Sequence, residues 1–162
     1  LHGIGRRQRQ MCIRDSIPAA TDLEQISMGR YHACGLHTDG EVSCWGTDAE
    51  PPAGPFSQIS AGSDITCGLT VSGEISCWGY DSADLGLLKD HSVEELHTGM
   101  SVLCGMTADG EVVCDGEDEH GQSTPPAGTW QTLGVGYDHG CAVNGDGETE
   151  CWGLDGNGQA TP

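Results

Sequence analysis

The sequence has few aromatic residues and few basic ones. It contains one Phe, three Tyr and four Trp among 162 residues, and six Lys and Arg against 25 Asp and Glu. Four of the six basic residues fall within the first sixteen positions, so residues 17–162 hold two basic residues, Arg30 and Lys89, against 24 acidic ones, a net charge of −22. A chain with this much negative charge repels phosphate backbones and anionic lipids. These counts disfavour nucleic-acid binding and favour cationic partners or loosely held cations.

Long apolar segments are missing as well. No stretch has the length of a transmembrane helix, and the first residues lack the apolar core of a secretion signal. The 26 glycines leave little sign of long amphipathic helices. We therefore expect no membrane insertion, and we expect any export signal to lie upstream of the sequence.

The sequence is instead organised by a fourfold repeat. The first cysteines of the four copies are 33, 37 and 37 residues apart, and each is followed ten positions later by a second cysteine. A glycine lies five positions before each first cysteine, a Gly-Glu pair lies between the two cysteines, and Trp-Gly follows the second cysteine in every copy except the third, where Asp115 replaces the tryptophan. The cysteine pairs are Cys34 and Cys44, Cys67 and Cys77, Cys104 and Cys114, and Cys141 and Cys151. The copies are predicted to cover approximately residues 22–54, 55–91, 92–128 and 129–162.

Each copy reads as consecutive β-strands, which we label A, B and C. Apolar residues eleven, eight and six positions before the first cysteine, such as Leu23, Ile26 and Met28 in the first copy, predict strand A. Strand B alternates about the first cysteine, and strand C carries the second. The residue after the first cysteine is Gly or Ala in every copy, which is typical of a site that another backbone or a bulky ring approaches closely.

The spacing of the cysteines follows from hairpin geometry. If Thr38, Asp39 and Gly40 form a three-residue loop with the glycine in the left-handed conformation, residues whose numbers sum to 78 face each other. Cys34 then lies opposite Cys44 at a non-hydrogen-bonded pair, where the side chains are close enough for a disulfide. The same rule predicts a disulfide in each of the other copies. Four disulfides indicate an oxidising compartment, so we expect an extracellular, periplasmic or cell-surface location.

Zinc coordination is the competing explanation for the cysteines. Zinc sites usually combine CxxC knuckles or close Cys and His pairs, and the sequence has neither. Two cysteines per copy would also require neighbouring copies to share a metal. Disulfides are therefore favoured over metal ligation or free thiols, and no cofactor is expected.

The repeat resembles the regulator-of-chromosome-condensation type (RCC1-like) repeat, in a cysteine-bearing bacterial style. The resemblance rests on the pattern G-x-x-H-x-C-[GA]-L-x-x-D-G-E-V-x-C-W-G and on the closing Asp-Gly-Asn-Gly-Gln of residues 155–159, and it covers roughly residues 22–162. It implies an all-β propeller, typically of seven blades with four strands each, in which one repeat supplies one blade. About four blades of antiparallel strands would not close such a ring, so we expect an incomplete, open ring. Closure as a four-bladed propeller is the alternative.

The first residues stand apart from the repeats. Residues 9–16, Arg-Gln-Met-Cys-Ile-Arg-Asp-Ser, match the translation of a transposon end used in sequencing libraries. Residues 1–16, which include the ninth cysteine, Cys12, are therefore predicted to be a non-native leader. The alternative is a native basic arm.

No catalytic motif is evident, and we predict that the chain is not an enzyme. Acidic residues recur in every copy and are read as turn and surface residues rather than as a catalytic dyad. His32 and His139 lie two positions before a first cysteine, where the middle copies have Ile65 and Val102, which indicates a half-buried structural position. The remaining histidines of the repeats have no matched positions and are predicted to lie on the surface: His37, His91, His97 and His120.

Two segments rich in Asp and Gly, residues 144–148 and 155–158, resemble calcium loops only weakly. The twelve-residue pattern with its terminal bidentate Glu is absent, and the first segment fits a hairpin turn. We expect no dedicated metal site, only weak divalent-cation association through the negative charge.

The loops at one face of the blades are the remaining candidate site. Strands that run up, down and up place the A–B loops and the segments after strand C on one face, and the B–C turns on the other. Tyrosines beside acidic residues at a propeller rim suit protein recognition, and a merely solvated acidic surface is the alternative. The candidate binding residues are Arg30, Tyr31, Asp64, Tyr80, Asp81, Tyr137 and Asp138.

The resemblance alone does not choose a partner. Within that family the same loops serve nucleotide exchange on a small GTPase and inhibition of a secreted hydrolase. A basic exchange factor that contacts chromatin fits poorly with this charge and these disulfides. The sequence favours a secreted or cell-envelope binding module for a protein or a glycan, non-catalytic, and the alternative is a disulfide-rigidified structural or adhesin repeat array without a specific ligand site.

Overall fold

In the part of the chain that the structure describes, four three-stranded antiparallel sheets are arranged as the blades of a β-propeller that does not close into a ring. The computed structural model describes residues 22–47, 50–79 and 88–162. Strands A, B and C of each copy lie side by side in chain order, and strand A of one blade contacts strand A of the next. Blade 1 consists of β1 (Leu23–Met28), β2 (His32–His37) and β3 (Val42–Gly46), and blade 2 of β4 (Phe56–Ala61), β5 (Ile65–Thr70) and β6 (Ile75–Gly79). Blade 3 consists of β7 (Val93–Thr98), β8 (Val102–Thr107) and β9 (Val112–Gly116), and blade 4 of β10 (Trp130–Val135), β11 (His139–Asn144) and β12 (Thr149–Gly153).

The B–C hairpins have the predicted register. Cys34 lies opposite Cys44, and each of the other cysteine pairs is matched in the same way. The Cα atoms of each pair are 4.0 to 4.1 Å apart and the sulfurs are bonded, as suits a non-hydrogen-bonded pair. The loop glycine has a positive φ in all four copies, 85° at Gly40. The hairpin calculation from the sequence is therefore confirmed at the level of strand pairing.

Strand A carries a β-bulge that explains its uneven apolar spacing. Leu23 and Ile26 are three positions apart, so on a regular strand they would point to opposite faces. The register of β1 against β2 shifts between Leu23 and Gln25, and the same shift recurs in the other three blades. The extra residue lets both apolar side chains face the same side of the blade.

The blades have three strands in the described part of the chain, where the resemblance implied four. The segments after strand C in blades 3 and 4, residues 117–129 and 154–162, are described in full and contain turns instead of a fourth strand. These segments are rich in Gly and Pro, and Pro125 and Pro126 cannot donate to a strand ladder. Among the described residues the only helix is a short 3₁₀ turn, Leu88–Asp90, and none is long and apolar enough to cross a membrane.

Two different faces meet where neighbouring blades pack. The disulfide face carries the cysteine pair with apolar residues of strands B and C, such as Leu36 and Val42. The tryptophan face carries the apolar residues of strand A and the strand-C tryptophan, such as Ile59 and Trp78. The disulfide face of blade 1 packs on the tryptophan face of blade 2, and the same contact joins blades 2 and 3 and blades 3 and 4. The core thus lies between blades, and burial of apolar area supplies most of the stabilisation.

A side-chain amide joins strand A of one blade to strand A of the next. Gln25 Nε2 donates to the carbonyl oxygen of Ile59 at 2.8 Å, and the Ile59 N–H donates to Gln25 Oε1 at 2.8 Å. Gln58 makes the same pair of bonds with Leu96, at 3.1 and 2.9 Å. We call this arrangement the amide clamp. Blade 3 has Glu95 at the matching position, and its carboxylate lies 3.3 Å from His97 Nε2.

The third copy compensates for its missing tryptophan. Asp115 lies opposite Leu103, at a position where the other copies have the smaller Ala33, Thr66 and Gly140. Leu103 is 1% exposed and packs in the cluster between blades 2 and 3. The larger residue on strand B fills the space that the indole occupies elsewhere.

Two histidines differ from their predicted surface positions. His37 is half-buried and bonds Asp22 through Nδ1 at 3.0 Å and Ser43 through Nε2 at 2.8 Å. His97 is half-buried on β7, on the side facing blade 4. His97 faces a neighbouring blade, and His37 is held by partners within its own blade, and the sequence shows neither kind of contact.

Candidate functional site

A groove of about 570 Å³ lies where the A–B loops of all four blades meet. Its walls come from the last residue of strand A and the loop that follows, in each blade in turn. The exposed side chains around it are Met28 at 76%, Met100 at 38% and Tyr137 at 52% exposure, together with Arg30. Strand A ends here because the loop glycine of each copy closes a tight turn onto strand B, with the Gly29 N–H donating to the His32 carbonyl at 2.9 Å. The groove therefore spans the whole arc of four blades.

The floor of the groove is a row of glycines, one from each blade. A Cβ on Gly62 would overlap the Gly99 carbonyl oxygen of the next blade, and a Cβ on Gly99 would come within 2.5 Å of the Gly136 carbonyl oxygen. Only glycine lets the four backbones approach this closely. Gly62 and Gly99 are themselves buried, so the row packs the loop backbones together beneath the groove.

Backbone hydrogen bonds link the loops of neighbouring blades beside this row. The Arg30 N–H donates to the Ser63 carbonyl at 2.9 Å, and the Met100 N–H donates to the Tyr137 carbonyl at 3.0 Å. These bonds fix the relative position of the loops, so the groove is formed in advance rather than assembled by a partner.

Arg30 brings the one described guanidinium to the rim. Its Cζ lies 4.8 Å from the centroid of the Tyr31 ring, in cation–π geometry. Tyr31 itself is 56% exposed. Within the described ranges no carboxylate lies in salt-bridge distance of Arg30. The guanidinium is thus presented on an aromatic ring at the edge of the groove.

The structure brings together some of the predicted binding residues. Arg30 and Tyr137 line the groove, and Tyr31 stacks against Arg30. Asp64 and Asp138 lie in the same A–B loops but do not line it. Tyr80 and Asp81 lie outside the described residues.

Sequence reasoning missed the two methionines and the glycine row. Met28 was read only as an apolar residue of strand A, and Met100 was not singled out. The four glycines five positions before the first cysteines were read only as a recurring position of the repeat, whereas they also form the floor. Their strict recurrence was the available signal, because a turn alone does not require a glycine at the same point in every copy.

His32 is buried between blades 1 and 2 and lies below the groove. It is 7% exposed, and its Nε2 shares a hydrogen bond of 2.7 Å with the Thr66 hydroxyl of blade 2. Burial lowers the pKa of His32, and the nearby Asp64 carboxylate opposes that shift with a smaller effect. The side chain has a hydrogen-bonded structural role, as its position in the repeat predicted.

The segment around Asp155 closes on itself. Asp155 Oδ1 accepts the Ala160 N–H at 2.8 Å, and Oδ2 accepts the Thr161 hydroxyl at 2.6 Å. The Thr161 hydroxyl first, and then the Ala160 amide, lower the pKa of Asp155. Both carboxylate oxygens are thus used by the loop, so this segment is a structural turn. The described part of the chain contains no group of three or more His, Cys, Asp or Glu side chains arranged to hold a metal ion.

The matching loop of blade 3 also anchors blade 4. Asp118 accepts the Ser123 N–H and the Thr124 hydroxyl, each at 2.9 Å, and the hydroxyl is the larger cause of its lowered pKa. The Gln122 carbonyl of this loop accepts the Trp152 indole N–H at 3.0 Å. The loop that follows strand C therefore holds the strand-C tryptophan of the next blade.

Comparison with known proteins identifies the repeat. The profile of the "Regulator of chromosome condensation (RCC1) repeat" family matches residues 24–50 and 56–83, within the first two copies. A search of curated protein sequences found no match.

Solved propeller structures share the fold. The CRINKLY WD40 ectodomain of the Arabidopsis thaliana receptor kinase ACR4 is 27% identical, with a TM-score of 0.70 over 82% of this chain and 50% of that one. The entire ectodomain of the Physcomitrella patens receptor kinase CR4 is 26% identical, with a TM-score of 0.71 over 81% of this chain and 38% of that one. Yeast RCC1 (Prp20), solved with Kap60 bound to it, is 15% identical, with a TM-score of 0.70 over 82% of this chain and 44% of that one. The chain spans at most half the length of each of these three structures.

Proposed function

Because the chain carries RCC1-type repeats folded as propeller blades, we propose that it is a non-catalytic binding module that holds a protein or glycan partner in the groove at the A–B loops. The observation that carries the proposal is the groove itself, which is fixed by backbone hydrogen bonds and ringed by exposed Met28, Met100 and Tyr137 with Arg30. Aromatic residues, methionine and arginine are the side chains enriched in recognition surfaces. Yeast RCC1 (Prp20), which shares this fold, was solved bound to another protein, Kap60.

We further propose that the module works outside the reducing cytoplasm, in a secreted or cell-envelope protein. Four disulfides support this location, because such bonds persist in oxidising compartments. The two plant structures similar to this chain are ectodomains of receptor kinases. The net charge of residues 17–162 argues against nucleic acid as the partner.

A triple variant and a matched control test the site. The chain is screened against panels of extracellular proteins and of glycans, and each ligand found is titrated against the Arg30→Ala/Met100→Ala/Tyr137→Ala variant. We expect at least about a tenfold loss of affinity, because central arginine and aromatic contacts supply most of the binding free energy at such surfaces. The control is Val71→Ala, which removes a 68%-exposed apolar side chain from the opposite, B–C face.

The result separates the two functions that the sequence left open. If Val71→Ala weakens binding and the groove variant does not, the groove assignment is wrong. If no ligand from either panel binds, the repeat-array function without a ligand site is preferred.

A further inference from the structure

Each blade presents one side chain to the groove directly after its floor glycine. Along the arc these residues are Arg30, Ser63, Met100 and Tyr137, and all four line the groove. We call them the inner row. Blade 1 contributes a cation, blade 2 a small polar group, and blades 3 and 4 two exposed side chains with large apolar surfaces. The chemistry of the groove therefore changes from one end to the other.

The acidic residues of this face lie outside the inner row. None of the residues that line the groove is acidic, although residues 17–162 contain 24 acidic residues. Asp138 directly follows Tyr137 in the loop of blade 4, and the Glu117 N–H donates to the Ser101 carbonyl in the loop of blade 3 at 2.9 Å. We call Glu117 and Asp138 the acidic rim. It flanks the end of the groove that carries the apolar side chains.

The charges at the two ends have no partners of opposite sign among the described residues. Neither carboxylate of the acidic rim lies in salt-bridge distance of a described cationic side chain, and the same holds for Arg30 at the other end. Glu117 is exposed and Asp138 is half-buried. Asp64, in the loop of blade 2 between the two ends, accepts the hydroxyl of the neighbouring Ser63 at 3.3 Å. The groove thus offers a positive charge at blade 1 and negative charges at blades 3 and 4.

A ligand that matches both ends needs groups of both charges. The Arg30 guanidinium suits a carboxylate, and the acidic rim suits Lys or Arg side chains. Met100 and Tyr137 suit an apolar side chain between these charged groups. Neutral and anionic sugars bring no positive group to the acidic rim, and the net charge of the chain repels anions. Among the two partner classes of the proposed function, only a protein segment has all three kinds of group.

We propose that the partner of the groove is a segment of another protein in which an acidic group, an apolar side chain and basic residues follow one another. The acidic group lies at Arg30, the apolar side chain lies on Met100 and Tyr137, and the basic residues lie at the acidic rim. Basic residues outnumber acidic ones in such a segment, because the whole chain attracts cations. This inference rests on the proposed function of the groove and specifies the class of partner.

Selection from a random peptide library tests the proposal. The library is displayed on phage and selected on the complete chain, and each enriched peptide is synthesised and titrated against the chain. We expect the enriched peptides to share an acidic group, an apolar side chain and basic residues in that order. Their affinity should fall as NaCl is raised, because screening weakens attraction between exposed charges.

Two variants of equal net charge separate the acidic rim from the charge of the whole chain. Glu117→Gln/Asp138→Asn should weaken the enriched peptides about fivefold, since exposed ion pairs are lost. Glu111→Gln/Asp146→Asn removes two exposed carboxylates from the B–C turns on the opposite face. This control should leave the affinity within about twofold of the parent.

Double-mutant cycles test which peptide group meets which end of the groove. Replacing the basic residues of a peptide by Gln should cost about fivefold against the parent and little against Glu117→Gln/Asp138→Asn. Removing the acidic group of the peptide should likewise cost little once Arg30 is replaced in Arg30→Gln. Effects that add without coupling would overturn the placement of the segment.

The outcomes distinguish this inference from the function on which it rests. Enriched peptides without basic residues, or a glycan that binds in the groove when no peptide is enriched, would overturn the assignment to a basic protein segment. The groove would still be the binding site if Arg30→Ala/Met100→Ala/Tyr137→Ala abolished the binding of that ligand. If the enriched peptides bind this triple variant as well as the parent, both the groove and the inferred partner are wrong.

Discussion

At the scale of single residues, His32 shows how a repeat position changes chemistry from copy to copy. Blade 1 uses a hydrogen-bonded pair, His32 with Thr66 of blade 2. Blade 2 uses an apolar pair in the same place, since Ile65 and Leu103 pack in the cluster between blades 2 and 3. The sequence predicted a half-buried structural histidine from the substitution by Ile65. It did not predict the partner, because Thr66 lies in another copy and the residue at its position differs from copy to copy.

The burial of His32 makes the stability of the chain depend on pH. Because burial lowers its pKa in the folded chain, the unfolded chain takes up this proton at a higher pH than the folded chain does. Above about pH 6.5, the ordinary histidine pKa, His32 therefore adds no pH dependence to the free energy of unfolding. As the pH drops below that value, protonation of His32 in the unfolded chain lowers the free energy of unfolding. We expect urea denaturation to show a steeper loss of stability between pH 6.5 and pH 5 in the parent than in a variant without this imidazole.

The variant that isolates the effect is His32→Ile/Thr66→Leu, which copies the Ile65 and Leu103 pair. His32→Ile alone leaves the Thr66 hydroxyl, which is 0% exposed, without its partner and costs about 1–3 kcal/mol. The double substitution recovers most of that loss and removes the added pH dependence. Identical pH profiles for the parent and the double variant would refute the assignment to His32.

At the scale of strands and blades, the sequence predicts what lies within a repeat and misses what lies between repeats. Strand positions, hairpin register and cysteine pairing follow from spacings inside one copy, such as the ten residues from Cys34 to Cys44. The groove floor and the amide clamp depend on contacts between copies, which a one-copy pattern does not contain. The recurrence of glutamine nine positions before the first cysteine, at Gln25 and Gln58, was a visible sign of the clamp.

At the junction of blades 3 and 4, Glu95 stands where the other junctions have the glutamine of the amide clamp. We therefore predict that this junction is the weakest of the three. Glu95 can accept the Leu133 N–H but cannot donate to the Leu133 carbonyl as an amide does. Glu95→Gln should complete the clamp and raise the free energy of unfolding by about 1 kcal/mol, the net value of a typical added hydrogen bond. Hydrogen exchange at the Leu133 amide should slow in the same variant, toward the rate at Ile59.

Two controls separate the clamp from a simple change of charge. Glu94→Gln removes the same charge from an exposed neighbour on β7 and should leave the Leu133 amide unchanged. Gln58→Glu copies the Glu95 arrangement into the junction of blades 2 and 3 and should destabilise it by about 1–3 kcal/mol, since the Leu96 carbonyl loses its donor. If Glu94→Gln and Glu95→Gln have equal effects, the clamp does not explain the difference between the junctions.

At the scale of the whole molecule, the dominant electrostatic feature is self-repulsion. Residues 17–162 carry a net charge of −22. Both ion pairs among the described residues use a histidine, His37 with Asp22 and His97 with Glu95, so Arg30 pairs with no carboxylate there. The cores between blades hold the arc together, and the disulfides stabilise each blade from within, against repulsion that acts across the entire arc.

Added salt should therefore stabilise this chain. Raising NaCl from 20 to 500 mM shortens the screening length from about 20 Å to about 4 Å, which weakens repulsion between carboxylates on different blades. We expect the melting temperature, followed by circular dichroism, to rise by several degrees over that range and to level off as screening becomes complete.

CaCl₂ at matched ionic strength separates loose calcium association from binding at a dedicated site. The Asp155 carboxylate is already used by its own loop, so we expect no dedicated site there. Loose association through charge gives a small and gradual extra rise with calcium, whereas a saturable rise at micromolar calcium would reveal a dedicated site. A melting temperature that stays flat or falls with NaCl would mean that repulsion is not what limits the stability of the arc.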